Sequence, residues 1–247
     1  MSAIRSTQVV FARELASYFS TPVAAIFLLV FLALSAGMTF FLGGFFERGQ
    51  ADLTTFFTWH PWLFLILMPA IGMRLWAEER RSGTIELLMT LPVSTTSLVL
   101  GKFLAAWAFA AIALALTFPL WITVNYLGEP DNGVIIASYL GSWLMAGAFL
   151  AVAALVSVFT RNQVIAFIVA AIVSFVLVML GSDLVLASLQ GWMPDAALQW
   201  LSSMSFINHF GRLTRGVLEV GTVFFFASLI VLCLWLNAQA LEWKRGK

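Results

Sequence analysis

Few residues in this sequence have the types and spacing that catalysis or metal binding needs. The two histidines, His60 and His209, lie far apart, and the single cysteine, Cys233, lies within an apolar run. A zinc site needs several ligands at close spacing, and nucleophilic catalysis needs a base beside the nucleophile. Neither pattern occurs, and one cysteine excludes a disulfide within the chain. We therefore expect no catalytic site, metal or bound cofactor in this chain.

Residues 78–94 form the densest group of charges, and their chemistry is that of recognition. The segment reads EERRSGTIELLMTLPVS and joins two long apolar stretches. Gly83 can end one helix, Ser82 or Thr84 can cap the next, and Ser94 or Thr95 can cap the apolar helix that follows. Glu86 then falls near the positive end of the second helix dipole. The pattern predicts a short amphipathic helix; a helix resting on lipid headgroups is the alternative, although such helices are usually richer in lysine and arginine.

The composition indicates the environment that holds this segment. The chain is 62% hydrophobic and only 10% charged, whereas a soluble domain has about 25% charged residues. A net charge of +1 argues against nucleic acid as a partner. The sequence therefore predicts an integral membrane protein in contact with membrane lipid.

Uncharged intervals long enough to cross a bilayer predict six transmembrane helices. About 20 apolar residues cross the hydrocarbon core, and helices are expected because lipid offers no partners for open backbone groups. The predicted fold is an all-α integral membrane domain that covers residues 1–247. Its predicted spans are 22–46, 56–76, 98–126, 134–159, 163–183 and 220–241. Residues 1–21 are expected to form an interfacial helix, and residues 184–219 to form re-entrant or interfacial helices at the outer leaflet before the last span.

The distribution of lysine and arginine predicts the orientation. If both termini are cytoplasmic, ten of the 13 basic residues lie inside and three lie outside, as the positive-inside rule favours. Segment 78–94 is then cytoplasmic. The inside residues are Arg5, Arg13, Arg74, Arg80, Arg81, Lys102, Arg161, Lys244, Arg245 and Lys247, and the outside residues are Arg48, Arg212 and Arg215.

The energy source is expected to lie in another chain. No ionisable residue falls near the middle of a predicted span, whereas ion-coupled transporters usually keep such residues there. The sequence also lacks the G-x-x-x-x-G-K-[ST] phosphate-binding motif. Two other classes stay open: a membrane scaffold or assembly subunit that transports nothing, and a secondary transporter or channel, against which the uncharged midplane argues.

The charged segment resembles a known family signature. It matches the spacing R-x-x-G-T-x-E-x-L-x-x-x-P-V-S, and residues 209–219 (HFGRLTRGVLE) and the closing LEWKR are similar too. The sequence resembles type-2 ABC export permeases, and most closely the Gld-type gliding-motility branch. The matching residues are Arg80, Gly83, Thr84, Glu86, Leu88, Pro92, Val93 and Ser94.

The resemblance implies partners and a role for this segment. It implies a coupling helix that docks in a groove of a separate ATPase, which binds ATP and magnesium, and an N-terminal helix that contacts the same ATPase. It implies a second permease half, either an identical copy or a Gld-type relative with a periplasmic domain, in the bacterial inner membrane. The expected ATPase-coupling residues are Glu78, Glu79, Arg80, Arg81, Gly83, Thr84, Glu86, Leu87 and Pro92.

The segment before the last predicted span is the second candidate site. Its aromatic and basic residues are expected either to gate a substrate path at the outer leaflet or to form a scaffold at headgroup level. The many Phe, Met and Leu residues of the spans favour an apolar or amphipathic substrate, and mechanotransmission is a variant. The gate residues would be Phe206, His209, Phe210, Arg212 and Arg215.

Overall fold

The computed structural model describes residues 3–90, 93–217 and 219–245. Within those ranges the regular structure is helical and contains no strand, apart from an isolated bridge between Gln190 and Met193. The predicted all-α class is confirmed for the described part of the chain. Pro92, one of the predicted coupling residues, lies outside it.

In the first half of the chain the structure describes seven helices of very different lengths. These are α1 (Ala3–Phe19), α2 (Pro22–Gly37, continued by a π-helical turn Met38–Leu42), α3 (Thr54–Thr58), α4 (His60–Gly72), α5 (Arg74–Ser82), α6 (Thr84–Thr90) and α7 (Thr95–Ala115). The second half follows with α8 (Phe118–Leu127), α9 (Asn132–Phe159), α10 (Gln163–Met179), α11 (Asp183–Leu189), α12 (Asp195–Ser203), α13 (Phe206–Leu213) and α14 (Val220–Arg245).

The chain has the helices of a multi-pass membrane protein. By length and composition, four helical runs in the described residues can cross a bilayer, and a fifth passes if α10 and α11, which meet at 77°, form one broken span. The six-span count is therefore not confirmed. The four runs are Pro22–Leu42, Thr95–Leu127, Asn132–Phe159 and Val220–Trp243.

The predicted span 56–76 is divided by two breaks in the helix. Helices α3, α4 and α5 meet at Trp59 and Met73, which both keep right-handed helical dihedrals. Pro61 lies in the first turn of α4 and Pro69 lies inside it. Proline has no N–H to donate to the preceding turn and its ring crowds that turn. The apolar run is consequently a kinked series of short helices rather than one long helix.

Helix α9 forms the centre of the fold, with α4, α7, α10, α13 and α14 packed around it. Small residues allow these close contacts, as is common between membrane helices. A Cβ atom added to Gly141 would lie 2.7 Å from Leu213 of α13, and one added to Gly147 would lie 2.7 Å from Trp107 of α7. Both glycines of α9 therefore lie in close helix–helix contacts.

Helix α1 packs lengthwise along the first half of α7. The Ser97 hydroxyl donates to the Ala3 carbonyl over 3.2 Å, and the rings of Tyr18 and Phe109 stack with centroids 5.0 Å apart. The run α7–α8 has 33 residues, or about 50 Å of helix, which exceeds a hydrocarbon core of about 30 Å. The run is thus longer than an upright crossing needs, and α1 is paired with its first half.

Candidate functional site

The charged segment folds as a sharp corner between α5 and α6. Gly83 closes α5 with φ +75°, in the left-handed region that glycine adopts without strain. The hydroxyls of Ser82 and Thr84 lie 2.9 Å apart across the corner. After the undescribed residues 91–92, Ser94 caps α7 by accepting a hydrogen bond from the Ser97 amide over 3.2 Å. The helix break predicted at Gly83 and the cap predicted at Ser94 are both confirmed.

One face of this corner points away from the rest of the chain. Leu87 on α6 is 68% exposed, whereas its neighbour Leu88 is 8% exposed and therefore buried. An apolar side chain left this open in a short amphipathic helix suits contact with another surface. The predicted coupling residues on the exposed side are Glu78, Arg81, Gly83, Thr84, Glu86 and Leu87.

Of the predicted coupling residues that the structure describes, the remaining two are Glu79 and Arg80, and both are turned into the protein. The Arg80 guanidinium donates to the main-chain carbonyl of Val158, one residue before the end of α9. The last carbonyls of a helix lack intrahelical partners, and a cation there also interacts favourably with the helix dipole. The run Glu78–Arg81 is therefore divided between an exposed side and a side anchored to neighbouring helices.

The Glu79 carboxylate pairs with a lysine that is buried between three helices. Lys102 of α7 is 2% exposed, and its Nζ pairs with Oε1 of Glu79 from α5 and lies 3.1 Å from Oε1 of Glu14 from α1. The same ammonium lies 5.4 Å from the ring centre of Trp76. We call Glu14, Trp76, Glu79 and Lys102 the Lys102 cluster. One buried cation thus bridges α1, α5 and α7.

The two carboxylates of the cluster are stabilised unequally. Burial raises the pKa of Glu79, and the nearby Glu14 carboxylate adds to this, while Lys102 offsets only part of it. Burial also acts to raise the pKa of Glu14, but Lys102 and Arg13 outweigh it and the net shift is downward. Among the described residues, Oε2 of Glu79 has no hydrogen-bond partner. Glu79 therefore has fewer polar partners than Glu14, which also pairs with Arg13.

The second candidate site is divided as well. Phe206, His209 and Phe210 of α13 are buried. The His209 Nε2–H donates to the Ser203 carbonyl over 2.8 Å, and its ring stacks on Phe225 at 4.0 Å. Burial is the main cause of a lowered His209 pKa, which keeps the ring neutral. These three side chains pack α13 into the fold.

The two arginines of that site lie outside the packed region. Arg212 is exposed and pairs with Glu219 over 2.8 Å, and Arg215 is exposed too. Of the five predicted gate residues, only Arg212 lines the cleft of about 300 Å³ beside α12. In the described single chain, the rings and the arginines are thus not gathered around one opening.

The residues that hold the charged segment in place could not be identified from the sequence alone. Lys102 was predicted only to be one of ten cytoplasmic basic residues, and Glu14 had no predicted role. The available signal was Lys102 itself, because a lysine at the start of a long apolar helix must find a partner if it is buried. Its partners lie on other helices, at positions 14 and 79.

The arrangement contains an exposed polar corner and structural ion pairs. Within the described residues, no group of three His, Cys, Asp or Glu side chains could hold a metal ion. Together with the spanning helices, this describes a multi-pass membrane protein with an exposed polar corner between α5 and α6.

Comparison with known proteins identifies the family. A family model described as ABC-2 family transporter protein matches residues 28–240, so the chain belongs to the ABC-2 transporter family. Members are typically non-catalytic transmembrane subunits of ABC transporters, and membership implies association with an ABC ATPase subunit and a second permease half. A comparison with curated proteins gives no significant match. The matched region includes α5, α6 and α7, and with them Trp76, Glu79 and Lys102 of the cluster. Helix α1, which carries Glu14, precedes the matched region.

Proposed function

We propose that this chain is the permease subunit of an ATP-driven exporter and that the α5–α6 corner is its coupling segment. A separate ATPase, which binds ATP and magnesium, contacts the exposed face that includes Glu86 and Leu87. The observation that carries the proposal is the division of the corner, with exposed residues on one side and residues anchored to α7 and α9 on the other.

This arrangement explains how force on α6 would reach the membrane helices. Leu75, Trp76 and Ala77 bury one side of α5 against the fold, mainly along α9. Arg80 fixes the same helix to the end of α9. Because packed interiors resist compression, a displacement of α6 carries α5 with it and shifts the helices that contact α5.

The proposal extends to topology and assembly. Both termini and the α5–α6 corner face the cytoplasm of a bacterial cell, in its inner membrane. Helices α3 to α5 make a kinked crossing, which brings the number of spans to six. The second permease half is an identical copy or a larger Gld-type relative with a periplasmic domain, and the Gld-type likeness of segment 78–94 supports that branch.

The cargo we propose is apolar or amphipathic, such as a lipid-linked molecule or a peptide. Helix α14 supports this with an exposed apolar groove of about 470 Å³. Helix α13 acts as the gate at the outer leaflet. The same conformational cycle also serves mechanotransmission, in which ATP hydrolysis moves an attached structure and no cargo passes. The groove is lined by Phe224, Ala227, Ser228, Val231, Leu232 and Trp235.

The test compares charge reversals at two exposed glutamates. The chain is co-expressed with its ABC ATPase, and the complex is purified and assayed for permease-dependent ATP hydrolysis. Glu86→Arg is expected to abolish co-purification and the permease-dependent part of hydrolysis. Glu129→Arg, the same change on the exposed α8–α9 loop, is expected to have no effect. Equal behaviour of the two variants contradicts the proposal and favours a scaffold that transports nothing.

A further inference from the structure

We propose that Lys102 is a positioning residue that links the coupling segment to α1 and α7, so that these three helices move as one unit. This inference rests on the proposed function, because it concerns how movement of α6 is transmitted. It adds that α1 takes part in transmission and that one buried side chain makes the connection.

The burial of Lys102 is difficult to explain by stability alone. Removing an ammonium from water is costly, and replacing a buried ion pair by apolar residues is often neutral or stabilising. A methionine at position 102 would continue the apolar surface of α7, since the neighbouring Gly101 and Phe103 are also buried. The charge therefore needs a reason other than packing, and its two partners on other helices supply one.

The geometry makes Lys102 the connection between helices that otherwise meet little. Helix α5 packs mainly along α9, and it reaches α7 through the Glu79–Lys102 pair and the Trp76 ring. Helix α1 packs on α7 directly, where Val10 lies against Gly101. Consequently, the Lys102 cluster is the polar link through which a displacement of α5 reaches the α1–α7 pair.

The cluster is asymmetric in its other contacts. Glu14 also has Arg13 at 2.8 Å, whereas one oxygen of Glu79 has no hydrogen-bond partner within the described chain. A cleft of about 110 Å³ adjoins both carboxylates. The link between α5 and the α1–α7 pair therefore depends on the Glu79–Lys102 contact, and removing the Glu79 charge tests that link while the Glu14–Arg13 pair stays in place.

The experiment compares two glutamates that differ in their surroundings. Glu79→Gln removes a charge from the contact between helices, whereas Glu129→Gln removes one from the exposed α8–α9 loop. Lys102→Met removes the shared charge, and Lys102→Arg restores it. Each variant is purified in complex with the ATPase, and the permease-dependent increase in kcat for ATP hydrolysis is measured together with KM for ATP.

The expected result is a loss of transmission without a loss of binding. Glu79→Gln and Lys102→Met retain the ATPase but reduce the increase in kcat by about fivefold or more, the lower end of typical coupling between sites. KM for ATP stays unchanged because ATP binds the other chain. Lys102→Arg recovers part of the increase, and Glu129→Gln behaves as the original chain.

Two outcomes overturn the inference. One is that Glu79→Gln and Glu129→Gln give the same increase in kcat. The other is that Glu79→Gln lowers the increase only in proportion to the amount of folded complex, measured by its thermal midpoint. If Lys102→Met does not fold, the Glu79→Gln and Lys102→Arg results decide. Failure of Glu86→Arg to affect the ATPase would instead contradict the proposed function, so the two failures are distinguishable.

Discussion

Arg80 on α5 donates a hydrogen bond to the main-chain carbonyl of Val158, near the end of α9. This contact joins α5, which leads to the α5–α6 corner, to α9 at the centre of the fold. It also gives a positive charge to the negative end of the α9 dipole. A residue of the family-like charged motif thus has a structural partner 78 positions away.

Removing the Arg80 side chain should destabilise the protein measurably. Arg80→Ala leaves the last carbonyls of α9 with one partner fewer and is expected to cost about 1 kcal/mol. Arg81→Ala, next to it and exposed, should cost much less. The measurement is the thermal unfolding midpoint of the purified protein in detergent, and equal midpoints for the two variants would contradict the Arg80–Val158 contact.

The backbone at Gly83 predicts a conformational penalty without a steric one. At φ +75°, a Cβ atom would meet no described atom within 4 Å, yet a left-handed alanine costs about 1–2 kcal/mol. Gly83→Ala should therefore destabilise the corner, and Gly83→Asn less so. Gly37→Ala is the matched control, because Gly37 is equally open but has right-handed helical dihedrals and alanine is favoured there. Unfolding that is equally affected by both alanines would show that the corner has another geometry.

The packing of α4 on α9 predicts a steric effect at Gly72. A Cβ atom there would lie 2.4 Å from the Cβ of Ala153, so Gly72→Ala should push the helices apart and cost about 1–3 kcal/mol. Gly211→Ala on α13, where the described residues leave space around a Cβ atom, serves as the control. Thermal unfolding in detergent measures both, and a stabilised Gly72→Ala variant would rule out this close contact.

The two carboxylates of the Lys102 cluster predict that their contributions to the stability of the fold depend on pH in opposite ways. The pKa of Glu14 is lowered in the folded state, so its contribution to stability is present above its unfolded pKa and is lost as pH falls through the folded value. Glu14→Gln should therefore be destabilising at neutral pH, and the difference should shrink in acid. The check is the thermal midpoint of the variant and the original chain from about pH 4 to pH 8.

For Glu79 the sign is reversed. Its folded pKa is raised, so the folded state binds the proton more tightly, and stability is lost as pH rises through that value. Glu79→Gln should remove this loss and leave the stability at neutral pH unchanged or increased. If Glu79→Gln were markedly less stable than the original chain at neutral pH, this would contradict the unequal stabilisation of the two carboxylates.

The sequence predicted those features that depend on local composition and spacing. The all-α class follows from apolar runs that must satisfy their own backbone in lipid, and the corner at Gly83 follows from the conformational freedom of glycine. Ser94 was predicted as a cap because a serine before an apolar helix has an available acceptor for its first amides. These features need only a few neighbouring residues.

Other features depend on contacts between distant segments and could not be predicted in the same way. Glu79 and Arg80 belong to a run of charges that looks solvent-exposed, and only the positions of α7 and α9 show that both are anchored. The apolar run 56–76 predicted one span, but the structure divides it at Trp59 and Met73, and the size of such breaks depends on neighbouring helices. Hydropathy measures the length of such a run and not its straightness.

The most direct test of the central claim is cross-linking from the exposed face of α6. In a Cys233→Ala background, Leu87→Cys carries a thiol-attached photo-cross-linker, and Tyr126→Cys, at a side chain 89% exposed near the end of α8, carries the same reagent. If the α5–α6 corner docks on the ATPase, irradiation of the assembled complex cross-links the Leu87 position to the ATPase and leaves the Tyr126 position without that product. A cross-link from the Tyr126 position, with none from the Leu87 position, would contradict the account.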